Sequence, residues 1–207
     1  MQYNRPMFSR LKPYQWALLL LAIIAMVTFF GPPEAELGSN VRIVYLHGAW
    51  VWTALAGFAL AALTGAIGLV TNRASWLAQS KVLGQTGALF WITYLPLSLW
   101  AMQANWNGLF LLEPRWRIGM DFALVASLIQ LAILFFNLPW VTGLINVAFA
   151  GGLLWSLSQA EQVMHPPSPI TSSGSATIQI YFFLLTLLCL LLGWLISRFL
   201  SNLQSER

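Results

Sequence analysis

The chain has 207 residues, of which 58% are hydrophobic and 8% charged. Soluble domains carry about 25% charged residues, so a water-soluble globule is excluded. The mean hydropathy of +0.72 and several apolar runs of bilayer length indicate a polytopic membrane protein. The formal net charge of +4 comes from cations scattered singly, so it reads as membrane orientation and not as a nucleic-acid-binding patch.

Hydropathy predicts about six spans, roughly 14–31, 43–70, 83–103, 119–137, 140–158 and 177–200, in a single membrane domain covering 1–207. The expected fold is therefore an all-α bundle. Arg5, Arg10 and Lys12 precede the first span, Arg73 and Lys81 lie between the second and third, and Arg198 and Arg207 end the chain. All fall on one face if the spans alternate, and the positive-inside rule makes that face cytoplasmic, with both termini. Arg42, Arg115 and Arg117 fall on the other face.

The first run, from Trp16 to Phe30, follows three cations as a signal peptide would. Gly31-Pro32-Pro33-Glu34 stands where a small-residue cleavage site would be, so an uncleaved span is expected. The second span opens on Arg42-Ile43-Val44-Tyr45-Leu46-His47 and places Gly57, Ala61 and Gly65 on one helical face, four residues apart. That pattern lets backbones approach closely and predicts a central position in the bundle. His47 at its outer end is one of two histidines. An imidazole there is either an interfacial group bonded to a headgroup or backbone carbonyl, or a metal ligand.

The third span contains Pro96, which is expected to kink it. The outer loop that follows, Gln103 to Gly119, combines aromatic and charged residues with an apolar centre at Leu109 to Leu112, so it must lie against a bilayer, a span or a bound apolar plate. Asp121 is expected to favour the start of the fourth span, Gln130 to bond to a neighbouring helix, and Asn137-Leu138-Pro139 to make a tight inner turn. The fifth span carries Asn146 and ends near Trp155. The outer loop from Gln159 to Ser175 holds the second histidine, His165. In the last span Cys189, the single cysteine, is expected to be a small buried hydrophobe. It excludes an intramolecular disulfide and any paired-cysteine motif.

On the map, His47, His165, the loop around Trp106 to Trp116, and Arg42, Arg115 and Arg117 share the outer interface. Two imidazoles, flat apolar side chains and guanidinium groups are the chemistry that holds a haem by iron, porphyrin and propionates. Tryptophan and tyrosine also gather at the interfaces of any membrane protein.

The order of these features resembles the haem-handling protein family, in particular the CcmC-type haem-delivery proteins of cytochrome c maturation. Arg42 to His47 is similar to the family's R-I-x-Y-x-H. Gly48-Ala49-Trp50 stands where the family reads V-P-A-A-W, two residues longer. Trp106 to Arg115, W-N-G-L-F-L-L-E-P-R, lies without gaps on the family's W-G-T-W-W-V-W-D-A-R. Trp106, Glu113 and Arg115 match; Leu109, Phe110 and Leu112 stand where the family has tryptophans. At the end of the fifth span Ser158 occupies the place of the family's second histidine, and His165 lies seven positions on.

The resemblance implies non-covalent, transient binding of haem b at the outer face of a bacterial inner membrane. Delivery would be to a haem chaperone or other cytochrome c maturation membrane proteins, by binding and transfer without catalysis. His47 and His165 become the candidate iron ligands; Trp106, Phe110 and Trp116 flank the porphyrin; Arg42, Arg115 or Arg117 pair with propionates, beside Glu113. A second expectation is a divergent haem-free relative serving as a structural or assembly subunit of a membrane complex. A small-solute transporter finds less support, because mid-span charges are missing.

Overall fold

The structure is a computed structural model that describes residues 12–161, 170 and 173–205. It is an all-α bundle of α1 (Pro13–Phe29), α2 (Val41–Thr71), α3 (Ala74–Trp106), α4 (Pro114–Phe136), α5 (Pro139–Gln159) and α6 (Ala176–Ser205). The five helices after α1 are long and apolar enough to cross a membrane. α1, at 17 residues, sits at the short limit for a span.

The helices alternate in direction. Tyr14 near the start of α1 meets Phe199 near the end of α6, with ring centroids 6.2 Å apart. At the opposite end the Tyr181 hydroxyl of α6 donates to the Val27 carbonyl of α1 at 3.0 Å. Lys81 donates to Asn137 Oδ1 at 2.8 Å across the turn joining α4 and α5. One end of the bundle thus holds the start of α1, the end of α6 and the α2–α3 and α4–α5 turns; it is called the termini end here. The far end carries the α1–α2, α3–α4 and α5–α6 connections.

The turns have local causes. Asn72, Asn107 and Asn137 end their helices in the left-handed region, at φ 51°, 51° and 42°, a conformation asparagine tolerates through its short polar side chain. Pro114 and Pro139 sit in the first turns of α4 and α5, where a missing N–H leaves nothing unpaired. In the α1–α2 turn, the Glu34 carboxylate accepts the amides of Glu36 (2.9 Å) and Leu37 (3.0 Å). The Leu37 bond, then the Glu36 bond, hold it below the usual carboxylate range.

α2 is central, as its small-residue face predicts, and packs against α1, α3, α5 and α6. A Cβ on Gly57 would lie 2.9 Å from the Gly87 Cα of α3, and one on Gly65 would lie 2.9 Å from the Gly143 carbonyl oxygen of α5. Between these approaches lies a polar node. Ser80, fully buried, donates to the Ala61 carbonyl of α2 at 2.7 Å. Asn146 of α5 donates to the Ser80 carbonyl (3.0 Å) and hydroxyl (2.9 Å). Cys189 is fully buried in the apolar core.

Several expected boundaries move. α3 begins nine residues before the predicted third span and runs through Pro96 as one helix. The predicted loop from Gln103 to Gly119 shrinks to residues 107–113, because Asn107 closes α3 and the Glu113-Pro114 pair opens α4 early. Asp121 therefore lies a full turn and more inside α4, and Glu113 takes the start of the helix instead. Gln130 does not make its expected bond: its buried Oε1 has no partner among the described residues.

Because interhelical hydrogen bonds in membrane proteins contribute about 0.6 to 2 kcal/mol each, Asn146→Ala is expected to destabilise the bundle by about 1–2 kcal/mol. Gly87→Leu, which drives a side chain into Phe58 and the α2 backbone, is expected to cost more. Thermal unfolding of the detergent-solubilised protein, followed by circular dichroism, checks both the direction and the order.

Candidate functional site at the far end

His47 sits in the second turn of α2 and is half-buried. Its ring centroid lies 5.7 Å from that of Tyr94 on α3, at an interplanar angle of 45°. Tyr94 is buried at 5% exposure and Trp91, one turn deeper, at 2%. Their rings meet at 4.8 Å. Both reach α4: Trp91 Nε1 donates to the Gly119 carbonyl at 3.0 Å, and the Tyr94 hydroxyl occupies the space that a Cβ on residue 119 would need. The packing continues inward from Trp91 to Phe58 of α2 (6.1 Å) and from Phe58 to Phe149 of α5 (4.7 Å). His47 is therefore the outermost ring of a column of aromatic side chains joining α2, α3 and α5.

Beside this column, Trp50 packs on Phe90 at 4.6 Å and donates from Nε1 to Thr93 Oγ1 at 2.8 Å. The α1–α2 turn is tied to the end of α3, where Asn40 Nδ2 donates to the Ala104 carbonyl at 2.8 Å and Asn105 Nδ2 to the Asn40 carbonyl at 3.3 Å.

Glu113 is buried at 8% exposure and caps α4, accepting the Trp116 amide at 2.6 Å. A carboxylate at a helix N-terminus satisfies a free N–H and favours the positive end of the helix dipole. Trp106 is the last residue of α3 and half-buried; Trp116 and Arg115 lie in the first turn of α4, also half-buried. Trp116 Nε1 and Arg115 Nε are buried and find no acceptor among the described residues, and Asn105 Oδ1 finds no donor. Three unmatched polar atoms at one α3–α4 junction are unusual, since buried polar groups are paired in most proteins. Between the helices, the Phe110 ring lies 3.6 Å from the Cβ position of Gly108, and Leu112 is 82% exposed.

Arg42 is separated from this group. It lies five residues before His47, about 140° around the helix, and its Nε donates to the Gly31 carbonyl at 2.8 Å, fastening α2 to the end of α1. Arg117 is exposed on the first turns of α4. His165 lies outside the described residues. Ser158, in the place of the family's second histidine, is exposed and donates to the Trp155 carbonyl at 2.7 Å. Among the described residues no three His, Cys, Asp or Glu side chains converge to hold a bare metal ion. Of the described candidates, His47 is the one that carries an imidazole, a nitrogen donor for a metal.

Tyr94 and Trp91 are the residues the sequence reading passed over. Both looked like ordinary span aromatics. The available signal was the three- and four-residue spacing that puts Trp91, Tyr94 and Ser98 on one face of α3. Two apolar hollows open in the surface, one of about 290 Å3 beside Trp52 and Phe182, whose ring packs on Gly48, and one of about 240 Å3 between α2, α3 and α6; His47 lines neither.

No family model matches the chain, and comparison with curated proteins finds no match.

The contact between Tyr94 and Gly119 is testable as a pair. Gly119→Ala is expected to destabilise the protein by about 1–3 kcal/mol through overpacking. Tyr94→Phe, which removes the hydroxyl, is expected to recover part of that loss, giving a coupling of about 1 kcal/mol in a double-mutant cycle of thermal stabilities. Additive losses would mean that the two residues do not share the space.

Proposed function

We propose that the protein is a haem-handling membrane protein that holds haem non-covalently at the far end of the bundle and hands it to a partner in cytochrome c biogenesis. The observation that carries this reading is the setting of His47. It is a half-buried imidazole backed by the Tyr94–Trp91 column. At the same end stand an apolar, solvent-reaching loop and two unmatched donors, Arg115 Nε and Trp116 Nε1. The resemblance of Arg42–His47 and Trp106–Arg115 to the haem-handling family points the same way.

Bound haem would supply the iron, and the protein's part is to hold it. His47 would offer an imidazole nitrogen to the iron, with its ring packed against Tyr94. Trp106, Phe110 and Trp116 offer apolar faces to the macrocycle. Arg115 and Arg117 offer guanidinium groups for propionates, and Glu113 fixes the first turn of α4 that carries Arg115 and Trp116. Arg42 contributes through the α1–α2 turn, because its Nε is committed to Gly31. With one described imidazole and leucines at two of the family's tryptophan positions, the grip is weak, which suits a carrier that must release its cargo. The termini are placed in the cytoplasm and the haem face outward, on the charge asymmetry of the connections.

The detergent-purified protein titrated with haemin is expected to develop a Soret band that His47→Ala abolishes and that Arg115→Ala weakens by about tenfold in affinity, the worth of one charge-assisted bond. A flat titration of the wild type removes the reading.

A second reading, a haem-free structural or assembly subunit, is favoured by one specific observation: neither apolar hollow of the membrane-facing surface is lined by His47 or the 107–113 loop. On that reading Leu109 to Leu112, exposed at 53%, 38%, 45% and 82%, form a docking edge for another subunit. It expects stable co-purification with fixed partners that His47→Ala leaves intact and Leu112→Asp disrupts.

A further inference from the structure

The crevice between α2, α3 and α6 lies at the other end of the molecule and has no part in the reading above. It holds about 240 Å3 and opens towards the lipid, below the roughly 300–1,000 Å3 of ordinary small-molecule pockets. Its lining changes from apolar to polar towards the termini end. Gly57 and Gly193 line its part nearer the middle of the bundle. Leu83, Leu190 and Trp194 wall it, and Trp194 stands 57% exposed to the membrane. Thr86 and Ser197, which face one another at 2.8 Å, bind α3 to α6 along its side. At the termini end its rim is polar: Gln79, Arg198 and Ser201.

Arg198 makes no hydrogen bond or ion pair with any described residue, and neither Gln79 nor Ser201 makes a side-chain hydrogen bond with one. The charge is not answered from elsewhere in the described protein. Glu34, Glu36, Glu113, Asp121 and Glu161 all lie at or near the far end, and Glu206 lies outside the described residues. Lys81, the cation at the start of α3, is engaged by Asn137. A guanidinium with no partner among the described residues therefore sits at the mouth of an apolar groove that reaches the middle of the bundle. An apolar chain carrying an anionic head at one end complements that arrangement.

We propose that this crevice seats one anionic phospholipid, with its phosphate on Arg198 and Gln79 and one acyl chain laid over Gly57 and Gly193 between Leu83 and Trp194. Its role is structural: it fills the open side of the contact between α2 and α6 and fastens α6, whose long apolar surface otherwise depends on lipid. A zwitterionic lipid fills the groove but cancels its own phosphate charge, so discrimination rests on the arginine.

The test is native mass spectrometry of the full-length protein released from detergent with equal phosphatidylglycerol and phosphatidylcholine. The wild type is expected to retain phosphatidylglycerol about fivefold more than phosphatidylcholine, the value of one arginine near a membrane surface. Arg198→Ala is expected to equalise the two lipids, and Arg198→Lys to keep most of the preference. Ala56→Phe, which fills the groove, is expected to reduce retention of both. Arg198 is exposed, so its variants fold whatever Ala56→Phe does. Equal retention by the wild type, or a preference unchanged in Arg198→Ala, overturns the proposal. So does protection against heating by inorganic phosphate alone as strong as that by phosphatidylglycerol. A lipid-free dimer that Ala56→Phe dissociates overturns it in favour of a second copy of the chain.

Discussion

The structure depends on how closely α2 lets its neighbours approach. In a bilayer, lipid tails are as apolar as leucine, so helices gain little by leaving lipid for one another. What holds them is close packing and interhelical hydrogen bonding. Gly57 against Gly87 and Gly65 against Gly143 bring three backbones almost into contact. Ser80 and Asn146 can then bond to groups that larger residues would have kept apart. Each bond is modest; the seam is strong because the same short distance serves both the packing and the bonds.

The far end inherits its geometry from that seam. With α3 fixed on α2, Tyr94 is carried beside His47, and the same residue reaches across to pack on Gly119 in the second turn of α4. The position of the α3–α4 connection is thus transmitted from the middle of the bundle through side chains of one face of α3. α4 itself is loosely held: among the described helices it packs against α3 and α5 alone, and it is the least buried of the five long helices. Gln130 Oε1, buried on α4 with no partner among the described residues, sits in the least constrained helix.

The candidate site was only partly legible in the sequence. His47 stood out because an ionisable group at the edge of an apolar run has few reasons to be there, and Glu113 because the resemblance puts an aspartate in its place. Tyr94 and Trp91 did not, because a tyrosine or tryptophan in an apolar run looks the same whether it faces lipid or a histidine. Arg42 looked equivalent to Arg115, since both are outer-face cations. Only the rotation of α2 turns Arg42 towards Gly31 and away from the loop. The loop ends were misjudged because hydropathy marks where a helix enters the polar region and not where it stops. The stop signals were present in Asn107 and in Glu113-Pro114.

By itself the sequence determined the class, the number and order of the helices, the central place of α2 and the burial of Cys189. Those follow from composition and periodicity, and every residue of a span contributes to them. The tertiary structure decided which polar atoms meet: Ser80 with Ala61 and Asn146, Trp91 with Gly119, Arg42 with Gly31. Such pairings join residues from 11 to 66 positions apart. They depend on the rotation and depth of each helix, which packing against its neighbours sets and no local pattern encodes.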